Sequence, residues 1–227
     1  MTATQVAAAE RSRSLSAQGA ALTAGLVFAV LAAPFIGGVR GPAVYAGWVL
    51  IPLAAGWREL LASFRPAHIR RRIKLVLLCA GLGTLCAGAL LLANRLWPAL
   101  LAFIGALPAL HQDMVRGNLA LFIALIPFAH FAHELFYRGF LQQRLQERLQ
   151  SPLQAILFAG VLFTWTHVFV FRQPDILPPS AYMGVIAFTA IESAAAGAIF
   201  SRTNSLAAAI AFRAANLIAL SCVIFFA

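Results

Sequence analysis

Charge is scarce in this chain. Only 11% of its 227 residues are Asp, Glu, Lys or Arg, where a soluble domain carries roughly a quarter. Acidic residues are scarcest, at seven. Cysteine is nearly absent: Cys79, Cys86 and Cys222 each sit within an apolar run. An odd number of thiols in that setting points to buried free cysteines rather than a disulfide framework or a metal site. No internal repeat or low-complexity linker is present, which counts against a transporter built from paired half-repeats. No small-residue cleavage site follows the first apolar run, so that run reads as a retained helix.

What the chain has in abundance is apolar side chain, 62% of residues, with a mean hydropathy of +0.86. Several runs reach the ~20 helical residues that cross a bilayer core. Spans are predicted near 20–38, 43–61, 73–96, 118–142, 153–171, 181–200 and 205–226, the second interrupted by Pro52 and Gly56. The segment 98–110, with Pro98 and Pro108, is too short to span and is expected at the interface. The fold class is therefore an all-α, polytopic transmembrane bundle of about seven spans. Its parts are a polar, poorly ordered tail over 1–19, an N-terminal transmembrane region over 20–117 and a transmembrane core over 118–227.

The net charge of +10 suggests nucleic acid until the positions are read. Eleven of seventeen cationic residues fall on one side if the spans alternate: Arg11 and Arg13, the cluster Arg58, Arg65, Arg70, Arg71, Arg72 and Lys74, then Arg144, Arg148 and Arg202. The positive-inside rule then puts the N-terminus in the cytoplasm. The expected setting is multi-pass, in a bacterial inner (plasma) membrane. The partners are the lipid bilayer and a membrane-tethered peptide or protein, and no nucleic acid.

Against that apolar background three constellations stand out. The first is His130-Phe131-Ala132-His133-Glu134-Leu135-Phe136-Tyr137-Arg138. Ionisable groups at membrane depth are costly unless they are paired or line a wet cavity. At ~100° per residue, His130, His133, Glu134, Tyr137 and Arg138 share an arc of about 140°. Glu134 and Arg138 can pair at i, i+4. This is either a structural ion pair that fixes helix register or a reactive site. The second constellation is Phe163-Thr164-Trp165-Thr166-His167, whose histidine needs a hydrogen-bond partner or a ligand in an apolar helix. The third is the turn Thr203-Asn204-Ser205-Leu206 followed by Phe212-Arg213-Ala214-Ala215-Asn216. Thr203 or Ser205 can cap the last span. Arg213 needs an anion, and Glu192 in the preceding span is one candidate; a substrate carbonyl or carboxylate is another.

In this order the three constellations resemble the CAAX-protease and bacteriocin-processing family of intramembrane peptidases. That family is marked by a Glu-Glu-x-x-x-Arg helix, a Phe-x-x-x-His helix and a His-x-x-x-Asn helix. Here they read His133-Glu134-Leu135-Phe136-Tyr137-Arg138, with Gly139-Phe140-Leu141-Gln142 following, then Phe163 and His167, then Phe212 to Asn216. The resemblance covers residues 118–220. With it, the candidate catalytic set is Glu134, His167, Arg138, His133 and Asn216, and this chain's own polar and aromatic residues Arg213, Tyr137 and Phe163 are expected against the substrate. Two positions depart from the pattern. His133 replaces the glutamate that activates water in the family, and Phe212 replaces the third-motif histidine.

Hydrolysis needs a base for water, a group that polarises the carbonyl and an acid for the leaving amine. Glu134, His133 or His167 can serve as base or acid, and Arg213 or Asn216 as oxyanion donor. The sequence singles out no certain cofactor. A zinc ion held by His133, His167 and His130 or Glu134 is the metal alternative, although the spacing lacks the second histidine of His-Glu-x-x-His. Two readings follow: a peptidase that cuts a membrane-tethered or lipidated peptide with activated water, or a non-catalytic relative that binds a membrane segment as an assembly, immunity or chaperone factor.

Overall fold

A computed structural model describes residues 3–35, 41–64, 69–96, 127–128, 130–171 and 179–226. Among them every element is helical, and no strand occurs. α1 runs Ala3–Ala32 and ends in a 3-10 turn, Ala33–Phe35. α2 is Gly41–Phe64 and α3 is Ile69–Leu96. α4 covers 130–149, with its middle, Leu135–Gln142, in π-helix and its last part, Gln143–Leu149, in α-helix. α5 is Pro152–Phe171, α6 Pro179–Thr203 and α7 Leu206–Phe226.

Two expectations need correction. Most of the tail over 1–19 is helical, because α1 begins at Ala3; its alanine-rich start has high intrinsic helix propensity. The seven spans are not all reproduced as long apolar helices. Among the described residues one helix, over Arg72–Ala93, is long and apolar enough to cross a bilayer. Ser16–Ala32, Ala43–Gly56, Pro152–Val168 and Leu206–Cys222 are shorter apolar stretches. α2 is kinked at Gly56, four residues after Pro52, which lacks a backbone donor and crowds the preceding turn. The segment 98–110 and the start of the span at 118 lie outside the described residues.

α4 is the centre of the bundle. Its π-helical stretch touches α1, α2, α5, α6 and α7, and every residue from Ala132 to Gln142 is buried. A helix buried on all sides has no lipid or solvent face. The outer helices do have one. α3 exposes Leu77, Leu78, Leu85 and Leu92, and α5 exposes Leu153, Leu157, Phe158 and Val161. Apolar faces of that extent are what a hydrocarbon solvent would cover.

α3 and α7 approach most closely where α3 is small. Cys79, Gly83 and Ala87 repeat every four residues and are buried, and a Cβ on Gly83 would collide with the Phe212 carbonyl. Small residues let helix backbones approach in this way. At one end of the bundle, α4 closes at Gln150 and α6 gives way to α7 at Asn204, both with positive φ (52° and 47°). The Ser205 hydroxyl accepts the Ala208 N–H at 3.3 Å and caps α7. Cys79, Cys86 and Cys222 are free thiols.

Candidate functional site

The π-helical stretch carries the first constellation, so the angular arithmetic of an α-helix fails there. Bonding from i to i+5 widens the turn and is frequent at functional sites. Glu134 stands just before this stretch, while Tyr137, Arg138 and Gln142 fall within it.

Glu134 is fully buried and meets two guanidinium groups. Arg213 Nη1 donates to its Oε1 at 2.9 Å. Arg138 Nε lies 3.5 Å from its Oε2, an ion pair longer than a hydrogen bond. Arg213 Nη2 donates to Glu192 Oε2 at 3.1 Å, and Asn216 Nδ2 donates to Glu192 Oε1 at 3.2 Å. Arg138 Nη2 turns to α6, donating to the carbonyl of Ser193 at 2.9 Å and to its hydroxyl at 2.7 Å. Two arginines and two carboxylates thus form one buried, charge-balanced network from α4, α6 and α7. Arg213 also lies over the Phe163 ring, 4.3 Å from its centroid, within cation–π range.

The histidines form a second cluster against this network. His133 and His167 face each other with ring centroids 5.3 Å apart, and His130 lies 6.3 Å from His133. α2 supplies the other walls: Trp48 meets the His133 ring edge-on at 4.5 Å and Tyr45 stacks on it at 5.6 Å. Both ring nitrogens of His130 and of His133 are buried without a hydrogen-bond partner among the described residues. So are Glu134 Oε2, Arg213 Nε and Asn216 Oδ1.

His167 is held by its own turn. Its Nδ1 donates to the Phe163 carbonyl at 2.9 Å, which makes Nε2 the basic nitrogen. The same carbonyl accepts the Thr166 hydroxyl at 2.6 Å, and the Tyr137 hydroxyl donates to Thr166 Oγ1 at 3.2 Å. Tyr137 therefore reaches His167 through Thr166 and the Phe163 backbone.

The structure brings Glu134, Arg138, His133, His167, Arg213, Asn216 and Phe163 together and places His130 at their edge. Phe212, expected to stand in for the motif histidine, does not enter the site. It packs with Cys79, Leu135, Ala196 and Phe200 in a separate apolar cluster, and Arg213 projects to Glu134 in its place. A metal centre is not supported by the donor set. Among the described residues no three His, Cys, Asp or Glu side chains are placed to hold one ion, so zinc on His130, His133 and His167 does not fit. Sequence reasoning misses Tyr45, Trp48, Thr166 and Ser193 as site residues. Tyr45 and Trp48 look like ordinary interfacial aromatics in an apolar helix, and Ser193 could have been found as the neighbour of Glu192.

Comparison with curated proteins and with solved structures found no match. Residues 115–219 do match a protein family, described as Rce1-like, type II CAAX prenyl endopeptidase Rce1-like. That interval contains every element of the buried network, and the match supports the resemblance of this part of the chain to the CAAX-protease family.

Proposed function

We propose that this chain is a multi-pass membrane peptidase of CAAX-protease type, with its N-terminus in the cytoplasm, acting on a membrane-tethered or lipidated peptide. The observation that carries this reading is the approach of His133 and His167, 5.3 Å between ring centroids, beside Arg213 and Glu134. His133 takes the place of the family's first glutamate, so an imidazole pair replaces a carboxylate as the water-activating group. In this mechanism His167 Nε2 removes a proton from a water molecule as its oxygen attacks the scissile carbonyl carbon. The positive charge of Arg213 meets the developing oxyanion. The imidazolium then returns the proton to the leaving nitrogen as the C–N bond breaks. Glu134 anchors Arg213 and Arg138 and is not the base, because its oxygens face those two guanidinium groups.

A specific observation favours a second reading. The four ionised groups balance one another, and Arg213 bridges both carboxylates, as expected of a network that fixes helix register in a non-catalytic groove. Such a protein would bind a membrane segment as an assembly, immunity or chaperone factor.

The test is cleavage by protein reconstituted in liposomes. The probes are fluorogenic peptides ending in Cys-aliphatic-aliphatic-X, one farnesylated on the cysteine and one plain. Cleavage by the wild type that is lost in His167→Ala, with the variant still folded, supports the peptidase. Cleavage of neither peptide above the His167→Ala background favours the binding protein.

A further inference from the structure

The seam between α4 and α6 is polar along its length. Three residues of α4 at four-residue spacing, Arg138, Gln142 and Gln146, face three residues of α6 at the same spacing, Ser193, Gly197 and Ser201. Arg138 donates to Ser193. Gln142 Nε2 donates to the Gly197 carbonyl and the Ser201 hydroxyl, both at 3.0 Å. Ser201 Oγ in turn donates to Gln146 Oε1 at 3.4 Å. The ladder begins at the buried ion network and ends in a cavity of about 500 Å³, whose walls include Gln143, Gln146, Gln150, Ser201 and Asn204. Ser201 belongs to both the ladder and the cavity wall.

The seam holds more polar capacity than its protein partners use. Gln142 is fully buried, yet its Oε1 has no hydrogen-bond partner among the described residues, and neither have Nε and Nη1 of Arg138 one rung deeper. Gly197 keeps the seam clear: a Cβ there would come within 2.9 Å of Gln142 Oε1 and 3.1 Å of Ile156. The α3–α7 seam offers the contrast, with Cys79 and Gly83 of α3 against Ala208, Ala209 and Phe212 of α7. Buried polar atoms with spare valence are the places where internal water binds.

We propose that the α4–α6 seam is the route by which water passes from the polar cavity at the Arg144, Arg148 and Arg202 end to the buried ion network. Gln142 is the constriction on this route. Its amide rotates between the Gly197 and Ser201 partners and water, and so meters entry without opening the apolar faces of the bundle. The route serves a hydrolase or a hydrated binding groove equally and does not depend on which function holds.

Thiol labelling tests it directly. A thiol reacts with a methanethiosulfonate only as its thiolate, which needs water at the sulfur. The thiolate displaces methanesulfinate and forms a mixed disulfide. Starting from a chain with Cys79, Cys86 and Cys222 changed to alanine, single cysteines are placed by Ser201→Cys, Gln142→Cys, Ser193→Cys and, as a control in the α3–α7 seam, Ala209→Cys. The probe is a small ammonium methanethiosulfonate added to membranes. Ser201→Cys should label fastest. Ser193→Cys, nearly isosteric and deepest on the route, should label about tenfold faster than Ala209→Cys if access sets the rate. Gln142→Cys, which removes the constriction, should label as well. If Ser193→Cys and Gln142→Cys are as slow as Ala209→Cys while Ser201→Cys reacts, the seam is dry and the proposal fails. Because Ser193→Cys keeps a side chain of the native shape, a folding defect in Gln142→Cys would not obscure the result. The readout involves no substrate, so it can fail while peptidase activity stands, and the reverse.

Discussion

Arg213 and Glu134 lie 79 residues apart in the chain and meet at 2.9 Å in its buried centre. The contact ties the last helix to the π-helical middle element, and the other guanidinium nitrogen of Arg213 ties both to Glu192 on α6. An arginine with one nitrogen on each of two carboxylates leaves little of its charge for a third group. Any substrate oxygen that Arg213 polarises must approach its Nε side, which has no hydrogen-bond partner among the described residues.

Glu134→Gln removes a charge from a network that is balanced only with it, and leaves two buried guanidinium groups sharing Glu192. Breaking one partner of a buried pair costs about 3–5 kcal/mol. The variant should therefore lose stability as well as any activity, so loss of cleavage alone would not identify Glu134 as a base. Pairing it with Arg213→Gln removes the orphaned charge. In detergent-solubilised thermal unfolding, the double variant should be more stable than the sum of the two single losses requires. Strict additivity would mean that the 2.9 Å contact contributes nothing.

Phe212 and Arg213 offer a sharper comparison. Phe212→His puts a polar ring among Cys79, Leu135 and Phe200, in an apolar cluster. It should destabilise the protein by about 1–3 kcal/mol and bring no rise in cleavage over the wild type. Arg213→His places the imidazole next to Glu134 and Glu192 instead. If a histidine on this helix can serve the site, it does so from position 213. Cleavage raised above the wild type in Phe212→His, and not lowered in Arg213→His, would overturn the assignment of Arg213 to the site.

The one-residue difference between positions 212 and 213 marks the limit of what is legible from sequence. The family resemblance is visible in the residue types, and Glu192 is legible as a partner for Arg213 because a mid-span arginine must find an anion. Counting back four residues from Asn216 lands on Phe212 only if the motif is unshifted, and the packing of α7 against Gly83 turns residue 213 inward. The π-helix is not legible at all. Its signal is a hydrogen-bond shift, whereas the apolar spacing around Leu135 and Phe136 fits an α-helix equally well. Tyr45 and Trp48 escape notice for a different reason. Neither breaks the apolar pattern of its helix, and their contact with His133 is set by how α2 packs on α4. The helical class and the central place of the motif helix follow from composition, while the number of helices that cross the bilayer depends on kinks such as the one at Gly56.

The sequence reading puts Tyr137 against the substrate, yet its hydroxyl reaches Thr166 and through it the carbonyl that orients His167. Tyr137→Phe should cost about 1 kcal/mol of stability, the net worth of one hydrogen bond. It should lower kcat with little change in KM, because the imidazole loses orientation while the groove keeps its shape. Thr166→Val should act in the same direction, and the two changes together should do little more than either alone. Independent, additive effects on cleavage would place Tyr137 against the substrate after all.

Gly83 and Gly81 sit two residues apart on α3 and should respond in opposite ways to alanine. Around Gly81 an added methyl meets nothing within 4 Å, so Gly81→Ala gains helix propensity, about 1 kcal/mol or less. At Gly83 the same methyl strikes the Phe212 carbonyl and crowds the Asn216 N–H. Backbone on a packed helix cannot swing aside, so α3 and α7 must separate, and overpacking of this kind costs about 1–3 kcal/mol. The displaced segment is the turn of α7 that carries Arg213 and Asn216, so Gly83→Ala should also weaken their hold on Glu134 and Glu192. Thermal unfolding of the two variants side by side checks the packing. A Gly83→Ala protein as stable as Gly81→Ala would mean that the two helices do not meet backbone to backbone, and the inward turn of Arg213 would then need a cause other than the α3–α7 contact.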